Sequence, residues 1–283
     1  MNRIRMPDTK RRAGATVYIV SIFLALLSLL PFWIMIANAT RSTYQIQQHA
    51  ISLIPSGFLS NNLAVLNGKI FNPATGFINS LIISTGATLC AVYFSTLTAY
   101  ALVAYDWKLR QPFFTLILAV MMIPTQVISI GFYQFMYRIH MTNNLLALIL
   151  PSIAAPMTVF FMRQYMLPAL NLDIVASARI DGAGEFRTFN SIVLPIMKPA
   201  MATQAIFTYV NSWNNLFLPM ILLTKKENYT MPIMVSLLKG DIYKTEYGAV
   251  YLALTMSVLP LLIVYFVLSK YIIAGVALGS VKE

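Results

Sequence analysis

The 283-residue chain is 58% hydrophobic, only 10% charged, and carries a formal net charge of +11. A soluble domain has about 25% charged residues, so this composition argues against a soluble protein and indicates a membrane protein. The single cysteine, Cys90, excludes an intrachain disulfide, and the sequence has no Cys/His cluster that could hold zinc. In a membrane protein the excess of basic residues indicates topology rather than a nucleic-acid partner.

Residues 1–12 form a basic arm that precedes a long apolar segment. This arrangement is similar to a secretory signal peptide. However, the apolar segment is too long for a signal sequence, and no small-residue cleavage site follows it. We therefore expect the segment to be a retained first transmembrane helix.

Six windows without charged residues are long enough to cross a bilayer, because the shortest holds 22 residues and about 20 are needed. They predict transmembrane helices near residues 15–38, 77–104, 112–136, 143–163, 200–223 and 248–270. The second is rich in small residues, which allow helices to approach closely. A further uncharged window, residues 42–68, is rich in Gln and Asn. Lipid cannot satisfy such polar groups, so we expect this window to lie on the outer surface of the membrane.

The distribution of basic residues predicts the orientation of these spans. With the N-terminus inside, the cytoplasmic segments hold 13 Lys and Arg residues and the outer segments hold 7. The excess on the inside predicts an N-in/C-in topology for one transmembrane domain, residues 1–283. Residues 166–198 are then a cytoplasmic loop, residues 225–246 an outer loop and residues 275–283 a cytoplasmic tail.

The six uncharged windows contain no Asp, Glu, Lys, Arg or His, since Arg163 and Lys270 lie just beyond the ends of two of them. An ion-coupled carrier usually needs an ionisable group within the membrane, so this absence argues against one. The fifth span instead contains neutral polar residues: Thr208, Asn211, Ser212, Asn214 and Asn215. These side chains fit two interpretations, a path for a hydroxyl-rich solute or hydrogen bonds between helices.

The cytoplasmic loop contains a cluster of charged residues, Arg179, Asp181, Glu185 and Arg187. Residues 172–180 are compatible with a short helix, Gly182 and Gly184 permit a sharp turn, and residues 185–192 form the next turns. We expect Pro195 to end these turns before the fifth span. Two interpretations remain open for this amphipathic loop: it rests on the inner headgroups, or it docks a partner protein.

The loop resembles the EAA loop of permease subunits in binding-protein-dependent ABC importers. Ala176-Ser177-Ala178 occupies the Glu-Ala-Ala positions, Gly182 follows at the motif's spacing, and Ile192, Leu194 and Pro195 match its end. The fuller form, residues 178–183, is similar to the carbohydrate-uptake branch, in particular the smaller permease of maltose-type importers. Further segments also resemble that branch: residues 79–82, 98–101, 121–124, 212–215 and 271–282. The chain departs from the motif at Ala176, which replaces the glutamate, and at Ser177, which replaces the first alanine.

The resemblance implies an all-α, type I ABC importer permease fold in a bacterial inner membrane. It implies a second permease subunit, an ATPase dimer that binds ATP and magnesium, and an external solute-binding protein, with no cofactor on this chain. The residues that it assigns to ATPase coupling are Ala176, Ser177, Ala178, Arg179, Asp181, Gly182, Ala183, Glu185, Phe186, Ile192, Leu194 and Pro195. Without the motif's glutamate, docking is expected to depend on Arg179, Asp181 and packing around Gly182.

The solute is expected to be an oligosaccharide or related sugar. Candidate residues for its path are Asn211, Trp213, Asn214 and Asn215, because amides and aromatic faces suit sugar rings. An autonomous secondary carrier or channel is the alternative function. The sequence also lacks a phosphate-binding loop and the metalloprotease and hydrolase motifs, which argues against a membrane enzyme.

Overall fold

A computed structural model of the chain describes residues 8–67, 72–238 and 245–280. Within these ranges the regular structure is helical and no residue lies in a β-strand, which confirms the predicted all-α class. The helices of the described residues are α1 (Asp8–Ala39), α2 (Thr43–Gln48), α3 (Leu59–Leu66), α4 (Pro73–Ala104), α5 (Arg110–Met121), α6 (Thr125–Arg138), α7 (Leu146–Ile149), α8 (Pro156–Ala169), α9 (Leu172–Ile180), α10 (Glu185–Thr188), α11 (Leu194–Trp213), α12 (Phe217–Leu222), α13 (Met231–Leu238) and α14 (Tyr247–Ser280). Shorter turns are 3₁₀-helical at Leu150–Ile153 and Lys226–Asn228, and π-helical at Phe189–Val193.

Four helical segments of the described residues are long and apolar enough to cross a membrane: Gly14–Ala39, Pro73–Ala104, Leu146–Ala169 and Tyr247–Val267. Helices α5 and α6 form a fifth candidate if they are counted as one broken span, since they are bent by 101° at their junction. Pro124 lies at that junction, where it cannot donate a helical hydrogen bond. The number of six spans and the N-in/C-in topology remain predictions.

The predicted fifth span, residues 200–223, is not one continuous helix in the structure. α11 begins at Leu194, before the predicted start, and ends at Trp213. The chain then leaves helical structure over three residues before α12 begins at Phe217. Asn215 Oδ1 accepts a hydrogen bond from Leu218 N at 3.4 Å, which supports the start of α12.

The prediction that Pro195 ends the turns that begin at Glu185 was wrong. α10, the π turn and α11 follow one another without a gap from Glu185 to Trp213. In the π turn, Leu194 N donates to Phe189 O, five residues earlier. The π turn ends at Val193, two residues before Pro195 in the first turn of α11. The changed hydrogen-bond register of the π turn accommodates the proline, which has no N–H to donate, without ending the helical run.

The described residues divide into two compact units, one within Met1–Lys69 and Leu238–Met256 and the other within Ile70–Leu237 and Ser257–Glu283. In the first unit, the chain that follows α1 is organised around Arg41, which is only 8% exposed. Its guanidinium donates to His49 O at 2.7 Å, Gln45 O at 3.1 Å and Asn38 Oδ1 at 3.2 Å. The window predicted to lie on the membrane surface thus forms short helices, α2 and α3, that are too short to cross it.

In the second unit α4 is the central helix, in contact with α7, α8 and α11. Of the six small residues predicted to allow close approach, Ser84, Ala87, Ala91, Ser95 and Ala99 are almost fully buried and Gly86 is partly buried. This confirms that the composition of the second span permits close helix packing. The C-terminal end of α4 contributes to a core that also includes Met162, Met166, Phe189 and Met197.

Gly248 in the first turn of α14 provides a test of the packing in the first unit. A Cβ at this position would lie 2.3 Å from Arg41 O and 2.5 Å from Asn62 Nδ2. We expect Gly248→Ala to destabilise the protein by about 1–3 kcal/mol, because the backbone carbonyl cannot move without disturbing the Arg41 network. The melting temperature of the detergent-solubilised protein measures this effect.

Gly57→Ala is the matched control, since a Cβ at Gly57 meets no atom within 4 Å. We expect its melting temperature to equal that of the wild type. Equal melting temperatures for the Gly248 and Gly57 variants would contradict the packing of α14 against Arg41 and Asn62.

Candidate coupling loop and translocation cleft

The loop predicted to be cytoplasmic contains α9, whose bounds match the predicted helix at residues 172–180. Asn171 caps it, with the side-chain oxygen accepting from Asp173 N at 2.9 Å. Asp173 lies in the first turn and Arg179 in the last, so both charges are favourable to the helix dipole. Val175 and Ala178, three residues apart on one face, are buried and attach the helix to the protein.

Gly182 ends α9 in a Schellman motif. Its φ of +77° lies in the left-handed region, which costs a residue with a side chain energy that glycine avoids. Ala183 N donates to Ala178 O at 2.9 Å, and Gly182 N donates to Arg179 O at 3.0 Å, which satisfies two helix-terminal carbonyls. The glycine in the predicted motif is therefore required by the backbone geometry of the turn.

An ion pair closes the loop across this turn. Arg179 Nε lies 2.6 Å from Glu185 Oε1, and Arg179 Nη2 donates to Glu185 Oε2 at 3.3 Å. The hydroxyls of Tyr100 and Tyr105 also donate to Glu185 Oε2, the former at 3.1 Å. Arg179 additionally lies over the Tyr105 ring, 5.2 Å from its centroid. One carboxylate thus connects α9, α10 and the end of α4.

These hydrogen bonds lower the pKa of Glu185 to about 2, with Arg179 the main cause, followed by Tyr105. The folded-state pKa lies below that of the unfolded chain. The stabilisation is therefore present above the ordinary carboxyl pKa and is lost only as the pH falls towards 2. The pair is consequently intact at neutral pH.

Phe189 fixes the second half of the loop. It is 1% exposed, and its ring meets those of Tyr93 and Tyr100 with centroids 5.6 Å and 5.7 Å apart. Two apolar side chains beside the glycine turn remain uncovered: Ile180 is 86% exposed and Phe186 is 73% exposed. The loop therefore has a fixed base and an uncovered apolar tip.

The structure places the predicted coupling residues on both the buried and the exposed faces of the loop. Ala176, Ser177, Arg179, Asp181, Gly182, Glu185, Phe186 and Pro195 are exposed, Ala178 is buried, and Ala183, Ile192 and Leu194 are partly buried. A shallow groove of about 340 Å³ lies along the turn, lined by Ala178, Asp181, Gly182, Ala183, Arg187, Thr188, Ser191 and Ile192. Sequence reasoning did not find Tyr100 and Tyr105, because they lie about eighty positions before Glu185 in the sequence.

A second feature of this unit is a cleft of about 290 Å³ at the C-terminal end of α11. Its lining residues are Ile83, Ala87, Phe132, Ala147, Leu148, Pro151, Ser152, Thr208, Asn211, Ser212, Asn215, Leu218 and Pro219. Two of the predicted path residues, Asn211 and Asn215, are among them. The polar residues follow one side of α11, and the remaining wall is mostly apolar.

The other two predicted path residues lie elsewhere. Trp213 is 1% exposed, its Nε1 donates to Ser257 O at 3.0 Å, and its ring stacks on Tyr209 with centroids 5.9 Å apart. Its surroundings are those of a packing residue. Asn214 is exposed and lies outside the cleft lining. Among the described residues no three His, Cys, Asp or Glu side chains come together in a way that could hold a metal ion.

Comparison with known proteins is consistent with this architecture. The model of the family described as "Binding-protein-dependent transport system inner membrane component" matches residues 91–277, about two thirds of the chain. The structure of a bacterial ABC transporter involved in the import of the acidic polysaccharide alginate superimposes with a TM-score of 0.76 at 22% identity. The match covers 95% of this chain and 99% of that one, which shows a shared fold.

Two relatives match over nearly their full lengths. The arabinooligosaccharides transport system permease protein AraQ of Halalkalibacterium halodurans is 34% identical over 262 residues, 92% of this chain and 93% of the relative. The lactose transport system permease protein LacG of Rhizobium radiobacter is 30% identical over 280 residues, 99% of this chain and 98% of the relative. The chain therefore belongs to the family of inner membrane components of binding-protein-dependent transport systems, as a multi-pass permease of the sugar ABC importer type.

Proposed function

We propose that this chain is the membrane-spanning permease subunit of an ATP-driven importer that moves an oligosaccharide or related sugar into the cell by alternating access. A separate ATPase dimer, which binds ATP and magnesium, couples to it through the loop 176–195. The observation that carries the proposal is the loop tip, where Ile180 and Phe186 are exposed on a rigid base. The names of AraQ and LacG support an oligosaccharide as the class of solute.

The charges of the loop favour docking on a protein over rest on the headgroups. A helix that binds the inner leaflet usually has a polar face rich in Lys and Arg. α9 carries one basic residue, Arg179, and that residue is already paired with Glu185. Exposed apolar side chains beside exposed Asp181 are better suited to a partner protein surface. Arg179 then holds the loop in shape, and Asp181 is free to contact the ATPase.

The continuous helical run from Glu185 to Trp213 supports a mechanical link between the loop and the cleft. The run holds 29 residues, and at about 1.5 Å per residue it is about 43 Å long. The turn at Gly182 lies just before the start of this run, and Asn211 lies in its last turn. Movement of the loop by the ATPase would therefore reach the polar side of the cleft along one element.

The remaining subunits complete the proposed assembly. A second permease subunit closes the cleft into a path, and an external solute-binding protein approaches the outer loop 225–246. The tail 275–283 approaches the ATPase. Residues 239–244 of the outer loop and 281–283 of the tail lie outside the described residues, as do residues 1–7 of the basic arm.

Uptake is expected to require ATP and the companion subunits. In proteoliposomes that contain the complete importer, ATP should drive uptake of radiolabelled arabinotriose or lactose, whichever the binding protein accepts. A non-hydrolysable ATP analogue is the control and should give background uptake. Uptake by this chain alone without ATP would contradict the proposal and support an autonomous carrier.

Gly182→Ala is expected to lower ATP-dependent uptake about fivefold or more with normal membrane insertion. A Cβ at the left-handed φ of +77° costs about 1–2 kcal/mol, although it meets no atom of the described residues within 4 Å. Gly184→Ala adds the same methyl group to a residue with a φ of −67° and open space, and should keep uptake within twofold. Equal uptake by the two variants would show that the backbone conformation at Gly182 is not needed for coupling.

Asn211→Ala is expected to lower the rate of sugar uptake about threefold to tenfold at saturating binding protein. The variant removes an amide from the cleft, and one hydrogen bond contributes about 0.5–1.5 kcal/mol. Asn214→Ala removes the same group three residues later, outside the cleft lining, and should leave the rate within twofold. A larger effect at Asn214 than at Asn211 would show that the cleft is not the path.

A further inference from the structure

Asn143, in the connection between α6 and α7, has an uncommon backbone conformation. Its φ of +58° lies in the left-handed region, which among the described residues other than glycine is shared only with His140, at +57°. Asparagine tolerates this region better than most residues, but the conformation still costs free energy. Such a conformation persists where surrounding contacts hold it, often at functional positions.

Those contacts are directed at one segment, residues 224–229, which we call the outer turn. Asn143 Oδ1 accepts from Thr224 N at 2.6 Å and from Lys225 N at 2.9 Å. The Thr224 hydroxyl accepts a hydrogen bond from Asn143 Nδ2 at 2.9 Å and donates one to Asn143 Oδ1 at 3.1 Å. One side chain therefore fixes two successive backbone amides of the outer turn.

The Asn143 backbone adds two hydrogen bonds to the same part of the chain. Its N–H donates to Leu222 O at 2.9 Å, and its carbonyl accepts from Asn228 Nδ2 at 2.6 Å. Because the left-handed conformation directs both backbone groups towards residues 222–228, the cost of the conformation is offset by contacts with one segment. The outer turn is thus held at its beginning and at its end by a single residue.

The far side of the outer turn is attached to α4. Asn79 Nδ2 donates to Glu227 O at 2.8 Å and to Tyr229 O at 3.1 Å. Ser80 Oγ then accepts from Met231 N at 2.9 Å, directly after the turn. The outer turn is therefore bound from two sides, and its backbone has one well-defined position.

The outer turn is also continuous with the wall of the cleft. Leu222 and Leu223, which precede it, are 1% and 2% exposed in a cluster with Met136 and Ala147. Ala147 also lines the cleft, as do Phe132 and Leu148, which pack against the same cluster. The position of the outer turn is thereby linked to the packing of α6, α7 and α12.

The outer turn presents its charged side chains away from this attachment. Lys225, Lys226 and Glu227 are all exposed, while the backbone N–H of Lys225 is held by Asn143 and the backbone carbonyl of Glu227 by Asn79. A contact surface whose backbone is already ordered loses less conformational entropy when a partner binds. A rigid turn with exposed charges is therefore suited to recognition of a protein surface.

We propose that Asn143 is a positioning residue that holds the outer turn preformed for contact with the sugar-loaded solute-binding protein. The inference rests on the proposed function, which places this turn on the outer face of an importer. Loss of the Asn143 side chain would free the backbone of Thr224 and Lys225. The first half of the turn, which Asn79 does not hold, would then become ordered only when the binding protein docks. Docking would therefore be weaker, while the maximal rate of the docked complex would stay the same.

Asn143→Gly tests this role without introducing backbone strain, because glycine adopts the left-handed region readily. The readout is ATPase activity of the complete reconstituted importer as the concentration of binding protein, saturated with arabinotriose or lactose, is varied. We expect the half-saturating concentration to rise at least fivefold and the maximal rate to stay within twofold. Asn143→Asp keeps the acceptor for Thr224 N and Lys225 N and should recover most of the wild-type value.

His140→Gly is the matched control, since it relieves the same backbone strain in the same connection. It should leave the half-saturating concentration within twofold of the wild type. Equal shifts in the Asn143 and His140 variants, or a fall in the maximal rate alone, would overturn the positioning role.

Hydrogen exchange at the amides of Thr224 and Lys225 provides an independent measurement. Exchange should become at least tenfold faster in Asn143→Gly and not in His140→Gly, because only the first variant removes the acceptor. Unchanged exchange would overturn the proposal. Absence of any stimulation of the wild-type importer by its binding protein would overturn the proposed function, while amide exchange would still decide whether Asn143 orders the turn.

Discussion

The close packing of α4 is the constraint on which the second unit depends. Ser84, Ala87, Ala91, Ser95 and Ala99 are at most 2% exposed, so neighbouring helices approach its backbone directly. Larger side chains at these positions would force the helices apart. This packing places the aromatic residues at the C-terminal end of α4 beside the candidate coupling loop, and Asn79 and Ser80 near its N-terminal end beside the outer turn.

The candidate coupling loop has a rigidly held base and an exposed apolar tip. Polar contacts, above all those of Glu185, hold its base, and the Schellman turn at Gly182 fixes the reversal between α9 and α10. The apolar tip has no cover within the described chain. Since a membrane protein gains nothing from apolar side chains in water, this combination is consistent with a surface completed by a partner.

The outer turn is also held by side chains that bind it to the rest of the unit, but through different groups. At the outer turn, amide side chains bind backbone groups, whereas at the coupling loop a carboxylate binds an arginine and two tyrosines. Both arrangements fix the backbone and leave charged or apolar side chains outward. The helical run from Glu185 to Trp213 and the cleft lie between them, so contacts at either face act on one packed body.

The sequence by itself determined the membrane class, the helical composition, the bounds of α9 and the position of the glycine turn, because hydropathy, helix caps and left-handed glycine are local properties. It also singled out Asn211 and Asn215, which line the cleft, but it could not separate them from Trp213, since burial of that ring depends on Tyr209 and Ser257. The continuity through Pro195, the partners of Glu185 and the contacts of Asn143 were decided only by tertiary structure. Each depends on residues far apart in the sequence or on a π turn whose hydrogen bonds leave no local pattern.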